Sequence, residues 1–175
     1  SKFDKSIGLL TAKDCIFRIY RDIRFSHDKT PYKTNFGAYI VQGGKKSWDA
    51  GYYFHIEPGG SFLAGGLYLP SPDKLNLVRQ EIYYNVEGFK ELIKNKDFIK
   101  YFGSLTGEKL KKSPKGYEPN FELIETLKQK SFLMSHNLED KILYSNEILA
   151  YMVKIFSSMY PVNSFFNNAI NPNMD

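Results

Sequence analysis

The sequence predicts an α+β fold: a curved antiparallel sheet of about four to five strands from the first half of the chain, packed on one face by helices of the second half. Three observations predict it. Residues alternate between two faces in segments near 36–42 and 51–57, the period of a strand, and a third apolar segment follows at 62–69. Pro58-Gly59-Gly60-Ser61 separates two of those segments at hairpin spacing. From Ser71 onward the period changes to three and four, so a strand-rich front is followed by a helix-rich back.

Taken in order, Ile7–Tyr20 carries a weak helical pattern. The first strand runs from Asn35 to Gln42, where Phe36, Ala38 and Ile40 alternate with Gly37, Tyr39 and Val41 until Gly43-Gly44 stops it. In the second, Gly51–Glu57, the residues Tyr52, Phe54 and Ile56 share one face and Tyr53, His55 and Glu57 the other. The turn leads into a third strand, Phe62–Leu69. Ser71-Pro72-Asp73 then supplies an N-cap, a proline in the first turn and an acid where the helix dipole favours one. Leu75, Val78, Ile82, Val86, Phe89 and Ile93 carry that helix onward. Asn95 caps a short helix that ends at Gly103, and a basic loop spans Thr106–Gly116. Helices are expected over Pro119–Gln129 and Leu138–Met159; Pro161 ends the latter, and Val162–Ile170 makes a last short helix. Lys130–His136 reads equally as a strand returning to the sheet or as the end of a helix.

A length of 175 residues fits one domain, 1–175, without a linker or an internal repeat. The balance of 24 basic against 19 acidic residues gives a net charge of +5, too small to demand a polyanionic partner. One cysteine, Cys15, excludes an intrachain disulfide and a Cys-rich zinc site and agrees with a reducing, cytoplasmic setting. The most apolar run, Ile148–Phe156, is broken by Lys154 and is far short of the roughly 20 residues of a membrane span. No secretory h-region is visible at the start.

The densest polar cluster holds Arg18, Arg21, Arg24, Lys29 and Lys33 with Asp22, His27 and Asp28. Guanidinium forks there could clamp a phosphate or carboxylate, or pair with the neighbouring acids on a solvated loop. Gly43-Gly44-Lys45-Lys46 reads as a turn or as an anion nest, without phosphate-loop spacing. His55 and Glu57, two apart on one strand face, read as a half-exposed polar face or as an acid/base pair in which the carboxylate orients the imidazole. Gly65-Gly66 in mid-strand marks a bulge or a close approach. No nucleophile elbow, Rossmann fingerprint or metal-ligand spacing is present, so no cofactor and no metal is expected. Cys15, beside Ile16 and Phe17, reads as a small buried hydrophobe.

The strings Arg21-Asp22-Ile23-Arg24-Phe25-Ser26, Asp28–Phe36, Gly51–Ser61 and Gly65-Gly66-Leu67-Tyr68 resemble a widespread bacterial family with eukaryotic members, catalogued as domain of unknown function 2461. Gly107–Lys111 and Pro114–Tyr117 resemble its second block. The similarity runs from about Arg18 to the C-terminus. Members carry a further N-terminal helical stretch, which the resemblance implies is missing or shortened here. The resemblance implies no activity, but it places the family's signature on the polar cluster, the His/Glu strand face and the glycine pair.

The functional expectation is a soluble protein that binds a small phosphate- or carboxylate-bearing molecule on the polar concave face of the sheet. Arg21, Arg24, Lys33, Tyr53 and Tyr68 would bind it, and His55 and Glu57 would supply any acid/base chemistry. The alternative is a non-catalytic module whose basic loops, including Lys109, Lys111 and Lys112, meet a nucleic acid or a protein. No membrane partner is expected.

Overall fold

A 3-10 turn at Lys5–Ile7 and a single helical turn, α1 (Ala12–Cys15), precede the sheet in the computed structural model, which describes residues 3–22, 24, 27 and 29–172. The strands are β1 (Phe36–Ile40), β2 (Gly51–Ile56) and β3 (Phe62–Leu67). Helices α2 (Pro72–Tyr84), α3 (Val86–Ile93), α4 (Lys96–Phe102) and α5 (Ile124–Leu127) follow, then β4 (Phe132–Asn137), α6 (Asp140–Leu143) and the long α7 (Ile148–Ile170). The four strands pair antiparallel in the order β1-β2-β3-β4. Lys130–His136, open between two readings from its pattern, thus delivers the strand that closes the sheet's far side.

Register assigns the faces. Ile40, Tyr52, Gly65 and Met134 lie on one row, and Ala38, Phe54, Leu63 and His136 on the next. This face meets α7, whose Ile155, Phe156, Met159, Val162, Phe166 and Ile170 are buried against it. Gly65 is needed there: a Cβ would stand 2.6 Å from Met159 Sδ, so its absence lets α7 approach the sheet. Asn167 donates to the carbonyl of Ala50 at 2.9 Å and accepts from its N–H at 2.7 Å, which fixes the helix against the start of β2.

The helices differ from expectation in five places. The helix expected over Leu138–Met159 divides into α6 and α7 at a turn over residues 144–147, where Ser145 Oγ accepts from Glu147 N at 3.0 Å. Ile7–Tyr20 keeps only the single turn α1; beyond it Ile16 is extended and bridges Ala38, and Phe17 donates its N–H to Gly37 O at 3.0 Å, so the chain continues the sheet edge beside β1. The predicted helix over 72–93 breaks at Asn85 (φ −115°, ψ 49°), although the apolar rhythm passes through the break. Pro119–Gln129 shrinks to α5: ahead of it Phe121 N and Ile124 N bond only three residues back, to Glu118 O and Phe121 O, and after it Lys128 O accepts from Leu110 N while Lys130 N donates to Glu108 O, which stops the helix. Finally, α7 runs straight through Pro161, where an end was expected.

That last result follows from magnitudes. An interior proline costs about 3 kcal/mol, while each buried apolar side chain of the stripe contributes about 1.5–3 kcal/mol. Pro161 lies on the exposed side, so its ring does not interrupt the stripe. Replacing Pro161 with alanine is accordingly expected to raise the unfolding free energy in urea by about 1–3 kcal/mol. A lower value would show that the proline costs the helix nothing. Among the described residues no helix is long and apolar enough to cross a membrane.

Candidate functional site

The second face of the sheet lies opposite the one that meets α7. Alternation places Gly37, Tyr39, Tyr53, His55, Phe62, Ala64, Gly66 and Leu133 there. Two irregular segments border it, the first at the β1 edge and the second over the hollow. One is an arm in which residues 19–21 pair with 31–33 through Lys33 N to Ile19 O (2.9 Å) and Arg21 N to Pro31 O (3.0 Å). The other is the loop between β1 and β2. Gly43 and Gly44 turn that loop at positive φ, and Lys45 Nζ pins it by donating to the carbonyls of Lys13 (2.6 Å) and Ile16 (2.7 Å).

Between loop and sheet lies a cavity of about 780 Å³. Phe17, Tyr39, Trp48, Tyr53, Phe62 and Tyr68 supply aromatic walls, over a floor of Ala64 and Gly66 that raises no bulky side chain. Trp48 and Tyr68 are 64% and 68% exposed. Three charged residues line the cavity: Lys45, Lys46 and Asp49. Lys45 is committed to carbonyls. Asp49 is neutralised by Lys74 Nζ at 3.0 Å and its carbonyl accepts from the Tyr39 hydroxyl at 2.6 Å. Lys46 makes no ion pair among the described residues.

One end of the cavity meets a row of three linked side chains, Tyr53 and His55 of β2 and Glu57 just past its end. The Tyr53 hydroxyl lies 3.0 Å from His55 Nδ1, and His55 Nε2 lies 3.1 Å from Glu57 Oε2. Thr34 of the arm donates to Glu57 Oε1 at 2.8 Å. These two hydrogen bonds, from His55 first and Thr34 second, hold the Glu57 carboxyl below its ordinary range, while burial pushes the Tyr53 phenol up. The ring of Phe62 stacks on His55, centroids 4.8 Å apart and 16° between planes, and leaves the His55 side chain only 13% exposed. Two signature strings far apart in sequence therefore touch, through Thr34 and Glu57.

The structure brings together Tyr53, His55 and Glu57, and sets Tyr53 and Tyr68 around one cavity. His55 and Glu57 do not line it, nor do Arg21, Arg24 and Lys33. Arg24 grips Asp22 in a bidentate pair, with bonds of 3.0 and 2.7 Å, the alternative the charge pattern left open. Asp28, Ile23, Phe25 and Ser26 of the cluster and signature lie outside the described residues. The expected polar face is aromatic where it is hollow, and its polar groups gather at the Glu57 end and on the loop. Lys109 of the basic loop is paired with Glu125 at 3.3 Å.

Cys15 is buried, and burial pushes its thiol up. Among the described residues no group of three His, Cys, Asp or Glu side chains could hold a metal ion. Sequence reasoning missed Trp48, Phe17, Tyr39 and Phe62. The available signal was Trp48 itself, the single tryptophan, placed in a polar loop rather than a strand.

Residues 1–165 match the model of a family described as conserved hypothetical protein (DUF2461). No curated protein and no solved structure matches the chain.

Proposed function

The chain belongs to the DUF2461 family, whose description names no activity, and from the site we propose that the open face of its sheet binds a small molecule combining a flat ring with an anionic group. One observation carries this reading: an aromatic cavity of about 780 Å³ over a floor of Ala64 and Gly66, with Lys46 on its wall. Its size falls in the range of small-molecule sites, about 300–1,000 Å³. Aromatic walls favour a flat apolar body, which would stack against Trp48, Tyr53 or Tyr68. With Asp49 paired to Lys74, the ammonium of Lys46 favours a phosphate or carboxylate at that end. Lys46 thus takes the part that sequence reasoning had given to Arg21, Arg24 and Lys33. The linked Tyr53, His55 and Glu57 side chains at the other end support acid/base chemistry on the bound molecule.

Trp48 is the only tryptophan and lines the cavity, so its emission reports occupancy directly. Phenyl phosphate is expected to change that emission saturably, and more tightly than phenol or inorganic phosphate alone. Lys46→Ala should weaken phenyl phosphate by about tenfold and leave phenol unchanged. No saturable change with phenyl phosphate, in emission or in melting temperature, would sink the proposal.

A further inference from the structure

Resting on that binding site, we propose that Tyr53 is the residue that passes protons between the cavity and His55, with His55 as the proton store and Glu57 as its positioning residue. Accessibility is the first reason. Tyr53 lines the cavity, whereas His55 and Glu57 do not, and the stacked ring of Phe62 covers the imidazole. A proton travelling from a bound molecule to His55 has Tyr53 as its hydrogen-bonded route.

The direction of the hydrogen bonds is the second reason. An ionised carboxylate only accepts, so Glu57 Oε2 requires a hydrogen on His55 Nε2. In a neutral imidazole Nδ1 then presents its lone pair, and the Tyr53 hydroxyl donates to it. The phenol therefore rests already aimed at a base whose far side is anchored by an acid, which is the nucleophile, base and orienter pattern with tyrosine in the first position. Space is the third reason. Gly37 lies opposite His55 across the strands, and a Cβ there would stand 2.6 Å from the Tyr53 oxygen, so the glycine makes the seat in which that hydroxyl rests.

The step balances as follows. An O–H or N–H group of the bound molecule gives its proton to Tyr53 Oη while the phenolic proton moves to His55 Nδ1. The bound molecule becomes the anion and His55 the imidazolium, which keeps Nε2–H on the Glu57 carboxylate and Nδ1–H on Tyr53. Tyr53 ends neutral, so no lasting phenolate is needed in a site where burial disfavours one. The reverse step delivers a proton to the cavity.

Benzenesulfonyl fluoride tests this without a known substrate. The Tyr53 oxygen attacks sulfur, fluoride leaves and the phenolic proton goes to His55. Peptide mass spectrometry of the full chain should show Tyr53 modified at least about tenfold faster than the exposed Tyr84 and Tyr144, with a pH profile that follows the His55 titration measured by NMR. His55→Gln should bring Tyr53 down to their rate. Equal rates in the wild type, or no effect of His55→Gln, would overturn the proposal. Long-range ¹H–¹⁵N spectra of the wild type need no variant: the Nε2–H tautomer is expected for neutral His55, and the Nδ1–H tautomer would overturn the relay. The two readings fail separately. Saturable phenyl phosphate binding with slow labelling would remove the relay and keep the site, whereas fast labelling without phenyl phosphate binding would do the reverse.

Discussion

Gly66→Ala is expected to lower the unfolding free energy in urea by more than about 3 kcal/mol, a large part of the roughly 5–15 kcal/mol available to a folded domain. Gly66 sits in β3 at φ 110°, a conformation closed to L side chains, and opposite Leu133 of β4. A Cβ built on it would run into the backbone carbonyl of Phe132. Backbone cannot swing aside as a side chain can, so β4 would have to separate from β3 or β3 would have to rotate. Either movement also disturbs the cavity, whose lining includes Gly65, Gly66 and Leu133.

Gly65→Ala gives the comparison. Its nearest collision is with the thioether of Met159, the far end of a flexible chain, and the Gly51 carbonyl stands off at 3.1 Å against 2.0 Å for Phe132 O at Gly66, so the expected loss is smaller, about 1–3 kcal/mol. If Gly66→Ala loses no more than Gly65→Ala, the positive φ of Gly66 is not a requirement of the fold. The dipeptide that looked like one signal is thus two devices: Gly65 admits the helix on one face, and Gly66 admits the neighbouring strand.

How much of this could be read from residues depends on the range of the cause. The β2 to β3 hairpin was legible because its causes are local: a two-residue period and a Pro58-Gly59 turn, in which Gly59 takes φ 71°. The α4 caps were legible for the same reason, Asn95 accepting from Asp97 N and Gly103 closing at φ 68°. The break at Asn85 was not, since Val86 and Phe89 keep the helical phase of Ile82 across it. Nor was the passage of α7 through Pro161, where a long-range stripe outweighs a local breaker. The adjacency of His55 and Glu57 was legible because strand alternation alone makes them neighbours. The cavity was not found, because it exists only once the Lys45-to-Trp48 loop folds over β2 and β3, and Lys45 holds that loop through carbonyls of a segment about thirty positions earlier. Charge density pointed at Arg21 and Arg24, but density does not reveal pairing, and Asp22 two positions away satisfies Arg24.

Gly37→Ala should separate the chemistry of Tyr53 from the stability of the sheet. Gly37 has no positive φ, so alanine fits the strand backbone and its lower unfolded-state entropy favours folding by about 0.5–1 kcal/mol. Against that stands the collision of the new Cβ with the Tyr53 oxygen at 2.6 Å and with two ring carbons at 3.1 and 3.2 Å. These atoms are the end of a side chain beside an open cavity, so Tyr53 can rotate out over Phe17 and the strand can stay. The urea midpoint is therefore expected to change by no more than about 1 kcal/mol equivalent, while sulfonylation of Tyr53 falls by at least about tenfold, because the hydroxyl no longer reaches His55 Nδ1. His55 should keep its Nε2–H bond to Glu57, visible as an unchanged neutral tautomer. Tyr53→Phe keeps the ring over Gly37 and removes the oxygen, so it should match the wild type in stability and lose the labelling altogether. Undiminished labelling in a folded Gly37→Ala protein would mean that the Tyr53 oxygen reacts from some other position, and the seat made by Gly37 would have no part in proton transfer.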